Sequence, residues 1–436
     1  MPDAAKPART TVAIVGGGWA GLACALKLAQ AGYGPVVLES APEPGGRARR
    51  ALIEGHARDN GQHLILAGCQ SLKALFEAAG IQLPVVPFRF QGGTRKLTVP
   101  AQAGRLGLAL ALCRAHGFNW QERYQILRAL MNLQSAHWHV EQTLTVADWL
   151  QQTRQPASLI HEFWAPLALA ILNTPLHEAA MCRLAPVLRD TLGQGGSSLC
   201  LLQPEGNLSA SIVDPIVSAI KKAGGGIRCG VRVTGVEQTA TGYQLLLHDG
   251  SSEAFDQVVL ALPTWALSHL SLPPALNATA WAQAFGSQPI ATIYLGFETS
   301  FRMPAPLIQL AGPTPEDARM WAMDRAHCGE PGVVAISLSA EGFWHLLSGD
   351  ALTHACLSAL QREVDNLPPC LWQKAITVQR ATYAATPTAF IAEADLSPLP
   401  GLHLSGDWTH PAYPATLEAA VSSGFAAAGR IMQVET

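Results

Sequence analysis

Charged side chains are scarce in this 436-residue sequence. Asp, Glu, Lys and Arg together make up 14% of the residues, against roughly a quarter in an average soluble protein. The formal net charge is −3, and no block of basic residues occurs. A nucleic-acid-binding protein needs a basic patch to neutralise phosphates, so no nucleic-acid partner is expected. The low charge and a mean hydropathy of +0.17 instead predict an oily cavity or a membrane-facing patch.

Closely spaced cysteine pairs are also missing. The nine cysteines are scattered from Cys24 to Cys370, and no CxxC pair occurs among them. Metal sites and disulfide frameworks use regular, short cysteine spacings, so we predict neither of them. Reduced cysteines in the core of a cytoplasmic protein are the expectation.

Long hydrophobic runs are absent as well. Stretches such as Leu106–Cys113 and Phe163–Leu172 fall short of the roughly 20 residues that span a bilayer, and the segment before the first predicted strand is too short for a signal peptide. Leu106–Ala115 is flanked by Arg105 and Arg114, which leaves two interpretations open: a helix in a membrane interface or a helix that faces a core. We therefore expect a cytoplasmic protein, with peripheral association with the inner membrane as the further expectation.

One stretch near the N-terminus carries most of the functional information. A buried strand is predicted over Thr11–Val15, and a turn follows with Gly16, Gly18 and Gly21 at GxGxxG spacing. A helix is predicted over Leu22–Ala31 and a second strand over Pro35–Leu38. In a dinucleotide-binding fold such glycines allow a tight turn, close approach of a pyrophosphate and close packing of the helix on the strand. Trp19 and Ala20 lie at the helix start, where amide groups are expected to bind phosphate.

The residues after the second strand bear on the choice of dinucleotide. Glu39 lies where a carboxylate accepts hydrogen bonds from ribose hydroxyls, and its charge argues against a 2′-phosphate and hence an NADP-type ligand. FAD and NAD both stay open at this point. Gly46 and Arg47 favour FAD, because an arginine there can hold phosphate oxygens with two hydrogen bonds. With this Gly-Gly-Arg segment the sequence resembles the amine-oxidase and phytoene-desaturase superfamily of flavoenzymes.

The C-terminal residues also support flavin. The predicted elements are a strand, a turn and a helix: Gly401–Leu404, Ser405–Asp407 and Thr416–Ile431. Gly406 allows the turn, and Asp407 can hold the ribityl or phosphate end of FAD. The helix start at Thr416 and Leu417 can donate amide hydrogens to the flavin C2 carbonyl, which stabilises negative charge on reduced flavin. Such an arrangement is characteristic of the superfamily.

A more particular signal is the segment Asp59-Asn60-Gly61-Gln62-His63. In the superfamily the equivalent segment passes beside the isoalloxazine ring, so the resemblance places Gly61, Gln62 and His63 at the cofactor. The sequence of this segment resembles that of the hydroxysqualene dehydroxylases, a family also called squalene-associated FAD-dependent desaturases. By the same analogy Val233, in a strand predicted over Gly226–Val236, lies near the adenine.

The fold class that follows is α/β, with a Rossmann-like FAD-binding domain and an interleaved α+β substrate domain, as in amine oxidases and phytoene desaturases. Two domains are expected from the length. Residues 1–70, 200–264 and 396–436 are predicted to form the FAD domain, and residues 71–199 and 265–395 the substrate domain. A second strand–GxGxxG–helix unit is missing, so NAD(P)H would need a different site or a partner reductase.

The resemblance implies an FAD-dependent oxidoreductase that reduces hydroxysqualene, a hydrophobic isoprenoid, to squalene in hopanoid and squalene biosynthesis, with an external reductant of unknown identity. A carotenoid or phytoene-type desaturase, an amine oxidase, a flavin-dependent isomerase without net redox change and a non-catalytic flavin module stay open. An allylic hydroxyl leaves readily only when protonated. We predict that His63, oriented by Asp59, supplies or relays this proton; the alternative is that both residues only shape the loop.

Overall fold

A computed structural model describes residues 10–312 and 320–434. Its strands are, in chain order, β1 (Thr11–Val15), β2 (Gly34–Glu39), β3 (Arg50–Ile53), β4 (His56–Asp59), β5 (Val85–Val86), β6 (Phe88–Gly92), β7 (Arg95–Val99), β8 (Leu201–Leu202), β9 (Gly226–Cys229), β10 (Val233–Gln238), β11 (Tyr243–Leu247), β12 (Ser252–Phe255), β13 (Gln257–Leu260), β14 (Gln288–Gly296), β15 (Leu307–Leu310), β16 (Met320–Asp324), β17 (Val333–Ser339), β18 (Trp372–Thr382) and β19 (Leu402–Leu404).

The helices of the same residues are α1 (Trp19–Gln30), α2 (Gln70–Ala79), α3 (Arg105–Arg114), α4 (Trp120–Ser135), α5 (Val146–Gln152), α6 (Ala157–Leu159), α7 (Ala165–Leu172), α8 (Met181–Asp190), α9 (Gly196–Leu199), α10 (Asp214–Lys222), α11 (Thr264–Leu267), α12 (Ala278–Phe285), α13 (Gly349–Glu363) and α14 (Leu417–Val434). π-helical turns join α6 to α7 and precede α10.

A five-stranded parallel sheet organises the first part of the molecule. Its order is β19-β13-β1-β2-β9. The strands are apolar on both faces because α1, α2, α10 and α14 cover one side and the large core shared with the other domain covers the second. Val15 pairs with Leu38 and Leu260, and Leu260 with Leu404. The carboxyl ends of these strands therefore meet at one edge, where ligands of such sheets bind.

A seven-stranded sheet organises the second part. Its order is β18-β14-β17-β16-β15-β6-β7, antiparallel except for the β15–β6 pair. Residues such as Ile293, Ile308 and Ile336 pack under α13 on one face, because alternate side chains of a strand point to opposite sides. The strands of the parallel sheet all fall within the segments predicted for the FAD domain, and those of this sheet within the segments predicted for the substrate domain. The domain boundaries themselves stay a prediction.

The sequence located the principal elements near the cofactor motifs. The first strand is confirmed over Thr11–Val15, and the glycine turn, the helix and the second strand follow as expected. The prediction of one continuous strand over Gly226–Val236 is wrong. Gly230 has a φ of +74° and donates its amide to the Ala41 carbonyl, so the chain leaves the parallel sheet after β9 and starts the three-stranded β10-β11-β12 sheet.

Two expectations drawn from absences can be compared with the structure. Within residues 10–312 and 320–434, no helix combines the length and apolar character needed to cross a bilayer. The cysteines are all free. Cys24, Cys200 and Cys356 are buried as expected, but Cys113 and Cys229 are exposed, so the prediction that the cysteines are core residues is wrong for these two.

Candidate FAD site

The turn between β1 and α1 and the first turn of α1 each contain one position that accepts only glycine. Gly16 has a φ of +108°, and a Cβ added there would lie 2.5 Å from the Ala261 carbonyl oxygen. A Cβ on Gly21 would lie 2.0 Å from the Gly16 oxygen. The turn therefore stays tight, and α1 starts directly at the carboxyl edge of the sheet.

A backbone cradle lies in front of this helix. A Cβ on Gly46 would lie 3.0 Å from the Gly18 Cα, and the Gly45 amide donates to the Gly17 carbonyl at 2.8 Å. The two glycine segments thus face each other without side chains between them. In the described residues no side chain caps α1, and the buried Trp19 Nε1 has no hydrogen-bond partner there. Open amides, a helix N-terminus and a spare donor fit the negatively charged diphosphate of a dinucleotide.

Glu39 closes the nucleoside end of the cradle. Its side chain is buried; one carboxylate oxygen accepts the Gly17 amide at 2.7 Å and the other the Ala41 amide at 2.7 Å. The Val231 amide donates to the Glu39 carbonyl, which holds the start of β10, and with it the buried Val233, close to this strand end. A fixed, buried carboxylate beside the glycine turn has the chemistry needed to accept ribose hydroxyls.

The turn after β19, Ser405–Asp407, and the start of α14 lie against the same cradle; we call them the C-terminal block. Gly406 has a φ of +145° and donates its amide to the Ser423 hydroxyl at 2.9 Å. This turn buries Asp407, whose carboxylate lies 2.6 Å from the Arg47 guanidinium. Arg47 also donates to the Ala381 carbonyl at 2.8 Å. The structure therefore brings together Arg47 and Asp407, which the sequence had proposed separately for the phosphate and ribityl parts of FAD.

The start of α14 is capped by Thr416. Its hydroxyl oxygen accepts the Ala419 amide at 3.1 Å. Glu418 does not serve its own helix: its carboxylate accepts the Ser71 and Leu72 amides at 2.7 and 2.9 Å and thereby caps α2. The proposed donation from Thr416 and Leu417 to the flavin stays a prediction.

The structure corrects the expected relation between Asp59 and His63. One Asp59 carboxylate oxygen accepts the Leu208 amide at 2.8 Å, and the other lies 3.2 Å from the Arg325 guanidinium. The prediction that Asp59 orients His63 is therefore wrong, because its oxygens are engaged on the opposite side of the loop. Burial raises the pKa of Asp59, although Arg325 and the Leu208 amide act in the lowering direction.

His63 lies in a setting that favours the neutral ring. Burial lowers the pKa of His63 to about 4; a backbone hydrogen bond with Gly61 opposes this shift, and the positive charge of Arg47 adds to it. The neutral imidazole is therefore the favoured form near pH 7. The buried Nδ1 has no hydrogen-bond partner among the residues that the structure describes, so the neutral ring keeps one nitrogen that could bind a ligand.

A buried ionic network fixes the loop that carries His63. Arg325 lies 2.6 Å from Glu330, and Arg58 lies 2.9 Å from the other oxygen of that carboxylate. The Gln62 side chain accepts from Arg325 at 3.1 Å and donates to the Tyr294 hydroxyl at 2.7 Å. Gln62 thus faces the seven-stranded sheet, and the loop is bound to β14 and to the turn after β16.

Sequence reasoning missed a second group, at the loop before α14. Arg183 is buried and donates to the carbonyls of Ala389, His410 and Tyr413. The Tyr413 hydroxyl donates to Asp190, and burial followed by that hydrogen bond raises the pKa of Tyr413. The two residues of α8 therefore fix the path of the chain between Asp407 and Thr416. No local signal in the sequence distinguishes Arg183 from a solvated arginine.

A small cleft opens beside the Arg47–Asp407 pair. Its walls come from the end of β13, the end of β18 and the C-terminal block, with these residues at its surface: Arg47, Pro263, Thr264, Trp265, Gly286, Arg380, Thr382, Tyr383, Asp407 and Trp408. Arg380 lies over the Trp265 ring at 5.1 Å. The cleft is thus formed by both sheets, and its charged lining residues are Arg47, Arg380 and Asp407.

The sequence profile described as flavin containing amine oxidoreductase matches residues 19–432. The chain belongs to this family. Hydroxysqualene dehydroxylase from Rhodopseudomonas palustris is 29% identical, over 97% of this chain and 98% of its own. A chloroplastic 15-cis-phytoene desaturase from an Oncidium hybrid cultivar is 24% identical, over 99% of this chain and 79% of its own. Cyclohexylamine oxidase from Brevibacterium oxydans has the same fold, with a TM-score of 0.74 at 16% identity over 98% and 100% of the two chains.

Family membership and fold identify the chain as an FAD-dependent oxidoreductase. The residues described above fit that cofactor. The Gly16–Gly21 turn and Gly46 would receive the diphosphate, and Glu39 the adenosine ribose. Arg47 and Asp407 would hold the centre of the molecule, and His63 and the start of α14 would flank its flavin end; these individual roles are proposals.

Proposed function

We propose that the chain is a hydroxysqualene dehydroxylase, which reduces hydroxysqualene to squalene in squalene and hopanoid biosynthesis. The observation that supports it most is the similarity to an enzyme of that name over 97% of this chain and 98% of the other. A likeness that extends through both sheets includes the substrate domain, where specificity resides, as well as the cofactor motifs. The segment from Asp59 to His63 adds the resemblance that first indicated this family.

The proposed reaction is a two-electron reduction. The allylic C–O bond breaks, the hydroxyl takes up one proton and leaves as water, and a hydride takes its place on carbon. Reduced FAD supplies the hydride when bound, and an external reductant must restore it. The tasks of the protein are to hold a long apolar chain, to exclude water from an incipient allylic cation and to deliver a proton to the departing oxygen.

His63 is the residue that we assign to the proton path, in a form set by its surroundings. An imidazole with a pKa of about 4 is neutral near pH 7 and lacks the second proton that a general acid would donate. It can still pass one, since a neutral ring has one nitrogen that donates and one that accepts. The unpartnered Nδ1 is the atom we expect to hydrogen-bond the substrate hydroxyl or a water molecule beside it.

The test is an anaerobic incubation of the dithionite-reduced holoprotein with hydroxysqualene, followed by mass-spectrometric analysis of the product. We expect squalene in stoichiometric amount with flavin reoxidation. Phytoene desaturases are the main competitors, since one of them aligns with 99% of this chain. Oxidised protein that dehydrogenates phytoene, or that releases hydrogen peroxide with a primary amine, while leaving hydroxysqualene untouched, would overturn the proposal.

The partners and location follow from the proposed substrate. A long neutral isoprenoid dissolves in bilayers and not in water, so we propose a cytoplasmic protein that associates peripherally with the inner membrane. The physiological reductant is a second partner. It would have to deliver electrons through the exposed side of the FAD site, because the sequence has a single strand–GxGxxG–helix unit.

A further inference from the structure

Helix α4 is apolar on two opposite faces. Its inner stripe, Ile126, Ala129 and Leu133, is buried in the core of the substrate domain. A second stripe, offset by two residues and therefore on the opposite side of the helix, is exposed and consists of Trp120, Tyr124, Leu127 and Met131. Trp120 is 78% and Met131 63% exposed. A surface helix normally places polar residues on this side, so the outer stripe needs a separate explanation.

Helix α3 extends the same surface. Leu106 is 88% exposed, and Leu110, one turn later, is also exposed. The inner residues of α3, such as Leu108 and Leu112, pack in the same core as the inner stripe of α4. Arg123 of α4 donates to the Cys113 and Ala115 carbonyls at the end of α3. The two helices are thus bound together, with their exposed apolar residues on the outside of one core; we call this surface the α3–α4 face.

The α3–α4 face has a basic rim. Residues 95–140 contain six Lys or Arg and one acidic residue, although the whole chain has a net charge of −3. The acid, Glu122, is buried and paired with Arg95 at 2.9 Å, so it does not offset the exposed cations. Lys96, Arg105 and Arg114 are exposed, and Arg123 lies 5.3 Å from the Trp120 ring.

We propose that the α3–α4 face is a docking surface for an anionic lipid bilayer. Exposed Leu and Met side chains would enter the boundary between headgroups and acyl chains, to a depth of roughly 5–10 Å. Trp120 and Tyr124 are the aromatic types that lie at the headgroup level. The basic rim would meet anionic headgroups, each cation near the surface adding a favourable contribution. Apolar insertion and charge attraction together give the two signals that stable peripheral binding requires.

A second copy of the chain is the less favourable occupant. A two-fold contact through this face would place the same patch on both sides, and the exposed cations Lys96, Arg105 and Arg114 of the two copies would oppose each other. Like charges at an interface disfavour association. An anionic lipid surface removes this conflict. The choice of a lipid bilayer as the partner rests in part on the proposed function, because an isoprenoid substrate resides in bilayers. The experiment measures binding to vesicles and does not depend on turnover of that substrate.

The experiment is vesicle flotation of the FAD-loaded full chain. Vesicles of phosphatidylcholine alone are compared with equimolar phosphatidylcholine and phosphatidylglycerol. We expect the wild type to float with the anionic vesicles and to bind neutral vesicles at least about 10-fold more weakly. On the order of 1 M salt, which shortens the screening length to about 3 Å, should weaken the binding without abolishing it, because apolar insertion persists.

The decisive variant changes Trp120→Gln, Leu127→Gln and Met131→Gln together. We expect at least a 10-fold loss of vesicle partitioning with unchanged FAD content, melting temperature and detergent-micelle turnover. The matched control, Leu346→Gln with Leu371→Gln, alters two exposed leucines outside the α3–α4 face and should float like the wild type. Wild-type flotation by the triple variant would overturn the docking surface. A lipid-independent dimer that only the triple variant loses would assign the face to a second copy instead. Either result leaves the proposed reaction to its own assay.

Discussion

The guanidinium of Arg47 and the carboxylate of Asp407 lie 2.6 Å apart, although 360 positions separate them in the sequence. Arg47 follows the second glycine segment, and Asp407 follows the turn after the last strand of the parallel sheet. The pair thus joins the two ends of the chain across the FAD cradle. Asp407 is buried and the Arg47 side chain is about one-third exposed, so we propose that the arginine is the partner that contacts phosphate oxygens of FAD.

Replacing Arg47 tests this position. Arg47→Ala should bind FAD about 10- to 100-fold more weakly, since a hydrogen bond to a charged group contributes about 1.5–3 kcal/mol. Fluorescence titration of apoprotein with FAD measures the effect. Arg49→Ala removes an exposed arginine two residues away and serves as the control. Equal affinity of the two variants would show that Arg47 does not contact the cofactor.

His63→Gln tests the proton path. The amide keeps a polar group of similar length, so FAD should be retained, and product formation should slow by about 10²–10⁴-fold. Because the pKa of His63 is lowered to about 4, the wild-type rate should show no inflection from this histidine near neutral pH. Single-turnover rates over a pH series measure both effects. His56→Gln, at the exposed first residue of β4, is the control. Near-normal turnover of a flavin-bound His63→Gln protein would remove His63 from the mechanism.

His403 should make the free energy of unfolding depend on pH in the acid range. It is buried between Ser397 and Gln257, at 2.8 and 3.1 Å, and burial together with the charge of Arg430 lowers its pKa to about 4. In the unfolded chain it takes up a proton near pH 6.5, so its contribution is complete above that pH and is lost as the pH falls towards 4. His403→Gln should flatten this loss by up to ~1.4 kcal/mol per pH unit.

Chemical denaturation at pH 7.5 and pH 5 measures that slope. His269→Gln, at an exposed position, should leave the difference between the two pH values unchanged. An identical acid-induced loss in the His403→Gln and wild-type proteins would contradict the prediction.

Arg325→Met should destabilise the protein. It would leave the buried carboxylate of Asp59 and the partly buried carboxylate of Glu330 without their shared cation, and breaking a buried ion pair on one side costs about 3–5 kcal/mol. Thermal and denaturant unfolding give the magnitude. Arg302→Met removes an exposed arginine that donates to the nearby carbonyls of Thr299 and Phe301, and should cost far less. A similar loss in both variants would show that the network adds little.

Local sequence patterns were sufficient to locate the turns and strand ends of the cofactor motifs. The glycines at 16, 18 and 21, Glu39 and the Gly406–Asp407 turn are short-range features, since each depends on a strand end and the residues next to it. The end of α2 is equally local, because its C-cap residue is Gly80, with a φ of +70°. Steric limits on φ make such signals readable from sequence alone.

Long-range partners were out of reach. Arg183 donates to carbonyls more than 200 positions away, and Glu418 caps a helix 346 and 347 positions away. Neither side chain differs locally from a solvated one. Asp59 is the same case: the sequence led us to pair it with His63, but the fold supplies Arg325. A contact that depends on tertiary packing leaves no trace in residue spacing.

The position of β19 has a consequence for how the protein is made. A ribosome produces the glycine turn first, and β13 (Gln257–Leu260) is complete long before β19 (Leu402–Leu404) is made. At ~5–20 residues per second the interval between these two strands lasts roughly ten to thirty seconds, and during it the edge of β13 lacks its partner strand. Arg47 lacks Asp407 until the same late stage, so we expect a nascent chain to hold FAD only after Asp407 has been synthesised.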